Sequence, residues 1–189
     1  MQPATVTLIA ATAAIYLAQE ALGWEVMAPY ALWPYGEAFA PWQLITHAFL
    51  HGSPMHLFFN MWGLFLFGGI LEDRWGALRL TAYYLFAVLG GAASQMAFAA
   101  YAGDATPMVG ASGGVFGLLL AFAVLFPEQR LILIFLPIPI PARIFASLYA
   151  AVELGLGLTG TWTGVAHFAH LGGMAAGWIF LRAVRGRWL

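Results

Sequence analysis

The sequence predicts an all-α polytopic membrane protein, a single domain over residues 1–189 with six transmembrane helices in a bundle. Three observations point there. Hydrophobic residues make up 62% of the chain and charged residues only 8%, whereas a soluble domain carries roughly a quarter charged residues to cover its surface. The mean hydropathy is +0.84. Apolar stretches recur at lengths suited to a hydrocarbon core of about 30 Å, and backbone groups facing lipid must bond within their own segment, which selects helices. A net charge of -1 argues against a nucleic-acid partner. The absence of cysteine excludes disulfide frameworks, thiolate zinc sites and cysteine nucleophiles.

The spans are marked in order at about 4–22, 54–71, 78–101, 112–126, 142–158 and 165–184. The first lacks a basic leading region, and Gln19-Glu20-Ala21 makes a poor cleavage site, so it reads as a retained helix. The second opens with Ser53 as N-cap and Pro54 at the first helical position. The fourth stops at Pro127, and the fifth follows Pro137, Pro139 and Pro141, a run forced to be extended because each proline disfavours helix in the residue before it. Orientation comes from arginine. Arg74 and Arg79, Arg130 and Arg143, and Arg182, Arg185 and Arg187 all fall on one side of a six-span chain, which the positive-inside rule makes cytoplasmic together with both termini.

Between about Gly23 and His51 the chain carries Trp24, Tyr30, Trp33, Tyr35, Phe39, Trp42 and Phe49, with Glu25 and Glu37 as its charges. Two readings fit: an aromatic belt at the outer interface, or a folded, partly membrane-embedded loop with a functional role.

Polar side chains within spans are functional hypotheses by default. His56 and Asn60 lie in the first turns of the second span, Ser112 starts the fourth, and His170 lies early in the sixth. Even-numbered spans start outside in this topology, so the four share a depth. The fourth span has about 15 residues before Pro127, or roughly 22 Å, which puts Ser112 about 8 Å below the outer boundary. Gly113 with Gly117 and Gly173 with Gly177 form small-residue stripes that let two membrane helices touch, bringing Ser112 to His170. A serine hydroxyl needs an adjacent base, and His170 is the available one. Glu153 and Asp104 are not predictably beside it, so the expectation is a Ser112–His170 dyad, with Glu153 a packing or water-bonded residue. Oxyanion donors would be His56, Asn60 and the backbone at the start of the fourth span.

At these residues the chain resembles the rhomboid family of intramembrane serine proteases. The resemblance runs from Trp42 through Thr46-His47, His51, His56-x-x-x-Asn60, Glu72-x-x-x-Gly76, Gly110-x-Ser112-Gly113 and Ala169-His170 to Gly173 and Gly177. It implies that Ser112 is the nucleophile, that His170 is the base, and that His56, Asn60 and the Ser112 amide hold the oxyanion. It also implies a membrane-inserted first loop and a substrate gate formed by the fifth helix with the Thr159–Gly164 cap and Trp162, with Gly110, Gly113 and Phe116 packing around the serine. Gln43 stands where many members have arginine, and Phe116 where some have tyrosine. His47, His51, Glu72, Arg74 and His167 sit at helix ends, where such side chains satisfy backbone groups.

The expected function is hydrolysis of a peptide bond near the extracytoplasmic end of single-pass or polytopic membrane substrates, without metal or organic cofactor. The expected setting is the lipid bilayer of a bacterial or archaeal cell, with no extra cytoplasmic domain before the first span. Two alternatives belong to other classes. One is a catalytically silent rhomboid-like protein that retains membrane clients. The other is a transporter or metal carrier using the five histidines, for which carboxylates look scarce at the histidine level.

Overall fold

The computed structural model describes residues 2–36, 38–133, 136–160 and 164–184. Six helices carry the fold: α1 (Pro3–Leu22), α2 (Pro54–Trp75), α3 (Ala77–Ala102), α4 (Ser112–Leu125), α5 (Ala142–Thr159) and α6 (His167–Ala183). Their bounds fall close to the expected spans. By length and composition α1, α2, α3 and α5 can cross a membrane, while α4 has 14 residues and α6 has 17. The shortness of α4 has a local cause: its last turn closes with the Phe126 N–H on the Phe122 carbonyl (2.8 Å), immediately before Pro127.

Two departures from a purely helical plan are visible. Between α4 and α5 the chain forms an antiparallel hairpin of β1 (Arg130–Leu133) and β2 (Leu136–Pro141), pairing Arg130 with Pro141 and Leu131 with Ile140. Prolines at every second position can stand in a strand because alternate residues direct their N–H groups to opposite edges, which leaves the donors of one edge intact. Within α2, Leu64–Gly68 forms a π turn, the kind of helix irregularity that often lies near functional sites; immediately before it, Gly63 lies against Val115 of α4.

The core lies where α3, α4 and α6 meet. A Cβ at Gly173 would overlap the Gly113 carbonyl, so α4 and α6 touch backbone to backbone, as the glycine stripes predict. The participation of α3 was not foreseen. Tyr83, fully buried, donates its hydroxyl to the Gly117 carbonyl at 2.8 Å. The start of α1 is finished from elsewhere: buried Glu72, near the end of α2, accepts from the Ala4 N–H (2.9 Å), the Thr5 N–H (2.8 Å) and the Thr5 hydroxyl (2.7 Å). A carboxylate there satisfies donors that every helix leaves open at its N-terminus and favours the positive end of the dipole.

Candidate active site

Ser112 is the first residue of α4, reached through a turn that requires glycine. Gly110 has φ +128°, and a Cβ on it would come within 2.7 Å of the His56 ring. The Gly110 N–H is held by the His47 carbonyl (2.9 Å), and Leu32 exchanges two hydrogen bonds of 2.9 Å with Met108, so the loop before α2 fixes the approach to the serine. The Val115 N–H is bonded to the Ala111 carbonyl (3.1 Å); the N–H groups of Ser112, Gly113 and Gly114 come before it, at the end where helix donors lack intrahelical partners.

The glycine contact between α4 and α6 sets the decisive distance. The Ser112 Oγ lies 2.8 Å from His170 Nε2. The His170 ring is stacked on Phe116, with centroids 4.2 Å apart and planes 4° apart, which fixes its plane. Its other nitrogen, Nδ1, lies 2.8 Å from Glu153 Oε2, and His167 Nδ1 reaches the same oxygen at 2.7 Å. This corrects two expectations. Glu153 is not a bystander in α5 but stands directly behind His170, and the His167 ring binds that carboxylate rather than a backbone group. An ionised carboxylate only accepts, so each Nδ1 carries a proton; a neutral His170 then has its lone pair on Nε2, and the serine hydroxyl donates to it.

Ser112, Phe116, His167 and His170 line a cavity of about 1110 Å³. His56 and Asn60 stand on its other wall, with Asn60 Nδ2 donating to the His56 carbonyl at 3.0 Å. That amide nitrogen has a second N–H. The His56 amide bonds to Ser53 Oγ (3.1 Å), the N-cap expected from the sequence. Three helices thus deliver Ser112, His170 and the His56–Asn60 pair to one hollow, as their matched depths predict.

Comparison with known proteins gives the arrangement its relatives. The Rhomboid domain model matches residues 38–187. The chain belongs to the rhomboid family. It is 33% identical over 138 residues to RHOMBOID-like protein 4 of Arabidopsis thaliana, covering 73% of this chain and 32% of that protein. It is 30% identical over 167 residues to the mitochondrial Rhomboid protein 1 of Saccharomyces cerevisiae (85% and 48%), and 29% identical over 129 residues to Rhomboid protease GlpG of an Enterobacter species (67% and 45%). The chain therefore spans a third to a half of the length of these curated relatives. Family and apolar helices together make it an integral membrane protein. Relatives from a plant, a yeast and a bacterium do not single out the bacterial or archaeal membrane expected from the sequence.

Within this rhomboid the first loop is folded rather than a loose aromatic belt. Gln43, the departure from the family's usual arginine, is buried: its Oε1 accepts from the Trp33 N–H (3.1 Å), and its Nε2 donates to the carbonyls of Pro29 (3.1 Å) and Ala38 (3.0 Å). His47 bonds the Gln43 carbonyl through Nδ1 (2.7 Å). Burial pushes His47 down to about 4, against the raising effect of that carbonyl. Burial, with His56 nearby, pushes His51 down to about 3. The His51 ring sits edge-on to His56 at 4.9 Å, and the His51 backbone is held by Gln19 (2.6 and 3.1 Å). Arg74 lies over the Phe126 ring at 6.0 Å. Trp162, expected at the gate, lies outside the described residues, as does Glu37.

Glu153, His167 and His170 each offer one ligand atom, all within 4.8 Å of one another, so a carboxylate does stand at the histidine level. The short contacts among them have hydrogen-bond geometry. The signal for Glu153 was available: a carboxylate inside a span is itself a functional hypothesis, and Phe145, Tyr149 and Glu153 repeat at i, i+4 on one face of α5.

Proposed function

We propose that this rhomboid is a serine endopeptidase that cleaves membrane proteins within the bilayer, acting as a single domain of six spans with both termini cytoplasmic. The observation that carries the reading is the 2.8 Å contact between Ser112 and His170, made between two helices and opening on a cavity beside oxyanion donors. In this reaction the Ser112 oxygen adds to a substrate carbonyl while its proton passes to His170 Nε2. The oxyanion is met by the Ser112 N–H, the Asn60 side chain and His56. Collapse of the tetrahedral species breaks the C–N bond, and His170 returns the proton to the leaving amine. Water then enters with His170 as base and releases the acyl group.

No metal or organic cofactor has a part in these steps. The substrate is a membrane-spanning helix cut near its extracytoplasmic end, and it must unwind locally because helical carbonyls are engaged in hydrogen bonds.

The test is cleavage of a labelled transmembrane substrate by protein reconstituted in liposomes. Ser112→Ala and His170→Ala are expected to abolish cleavage while remaining folded. Asn60→Ala is expected to slow it by about tenfold to a thousandfold, the range for a lost oxyanion donor. Wild-type rates from Ser112→Ala would end the proposal. Wild-type protein that neither cleaves nor takes up a fluorophosphonate would indicate the client-binding alternative.

A further inference from the structure

We infer that Glu153 is a positioning residue for His170, so that the site works as a Ser112–His170–Glu153 triad assembled from α4, α6 and α5. The inference rests on the serine-protease reading above. Glu153 is 4% exposed, and a carboxylate taken out of water without partners costs several kcal/mol. Its Oε2 accepts from His170 Nδ1 at 2.8 Å and from His167 Nδ1 at 2.7 Å. Two donors converging on one oxygen orient the carboxylate as well as compensate it.

Three consequences follow for His170. The carboxylate keeps the proton on Nδ1, which leaves the lone pair of Nε2 facing Ser112. The imidazole is gripped at both nitrogens and stacked on Phe116, so it cannot rotate away from the hydroxyl. When the Ser112 proton arrives on Nε2, the resulting imidazolium lies against a negative charge. Proton accounting is simple: Oγ–H breaks as Oγ–C forms, Nε2 carries the proton until the amine leaves, and the Nδ1 proton stays where it is. Glu153 touches neither substrate nor the reacting atoms.

The placement involves a whole face of α5. Phe145 packs on Tyr149 (5.6 Å), Tyr149 packs on Phe116 (4.8 Å), and Glu153 follows one turn later. The same helix therefore lines the cavity with Phe145 and Tyr149, the ring that backs Phe116, and places behind that wall the carboxylate that backs His170.

The experiment measures kcat and KM in liposomes for wild type, Glu153→Gln and Ser112→Ala, with fluorophosphonate labelling rates and unfolding midpoints. Glu153→Gln keeps the shape and one acceptor but removes the charge and the demand for an Nδ1 proton. It is expected to lower kcat by about a hundredfold or more, by analogy with loss of the third triad member elsewhere, with KM within about twofold, and to slow labelling in parallel. An unchanged kcat for Glu153→Gln, beside an inactive Ser112→Ala, overturns the inference and leaves the protease reading standing; an active Ser112→Ala overturns that reading itself. Should Glu153→Gln not fold, 15N NMR of histidine-labelled wild type decides. A hydrogen-bonded Nδ1–H tautomer of His170 is expected, and an Nε2–H tautomer overturns the inference.

Discussion

The seam between α4 and α6 and the loop before α2 both position the site, but they are held in different ways. At the seam the backbones themselves touch, Gly113 against Gly173, and no rotamer change can relieve an added atom. In the loop, side chains add to the backbone bonds made with Met108 and Gly110: Gln43 holds three partners, Gln19 holds both backbone groups of His51, and Thr46 donates to the Tyr30 carbonyl at 2.7 Å. A contact of the first kind fails all at once. One of the second kind fails bond by bond and responds to pH.

The largest effect is expected at the seam. Gly173→Leu would drive a side chain into the Gly113 carbonyl and cost at least about 3 kcal/mol, the upper range for overpacking. Little folded protein should survive size-exclusion chromatography in detergent; a wild-type unfolding midpoint would show that the helices can part.

Acid comes next and strikes the loop. Burial lowers His47 to about 4 and His51 to about 3, so the folded chain resists protonation that the unfolded chain accepts. The stability of the neutral rings is complete above about pH 6.5 and is lost as pH falls toward those folded values. For His47 this amounts to roughly 3 kcal/mol. Hydrogen exchange at pH 7 and pH 4.5 should show residues 38–51 opening before α4 and α6; equal protection at both would contradict the account.

Gln43→Ala leaves the Trp33 N–H and two carbonyls without these partners, at a cost of about 2 kcal/mol. Limited proteolysis should then cut between Pro29 and Trp42 faster than in wild type. The smallest effect belongs to α5, where Ala142, Ala146 and Glu153 are the buried residues and Leu158 faces outward. Leu158→Ala should change the unfolding free energy by less than about 0.5 kcal/mol, and a larger loss would place α5 in the same class as the seam.

Span positions were legible because the breakers lie in the sequence: Ser53-Pro54 opens α2, and Pro127 closes α4. Ser112 and His170 were legible because glycine stripes predict which helices touch. Glu153 was not. An apolar membrane helix is hydrophobic on its lipid face and its core face alike, so the rotation of α5 about its axis leaves little trace in residue pattern. The three donors met by Glu72 lie far from it in the chain, and the partners of Gln43 sit in an irregular loop; spacing alone reveals neither. The hairpin was legible in part, since alternating prolines force extension but do not name a partner strand.

Glu72 also bears on the order of assembly. It follows Thr5, the residue it completes, by 67 positions, so the ribosome makes α1 well before its closing group exists. The opening turn of α1 stays unfinished until α2 has been laid alongside it. The end of the first helix is therefore sealed only once the second is in place.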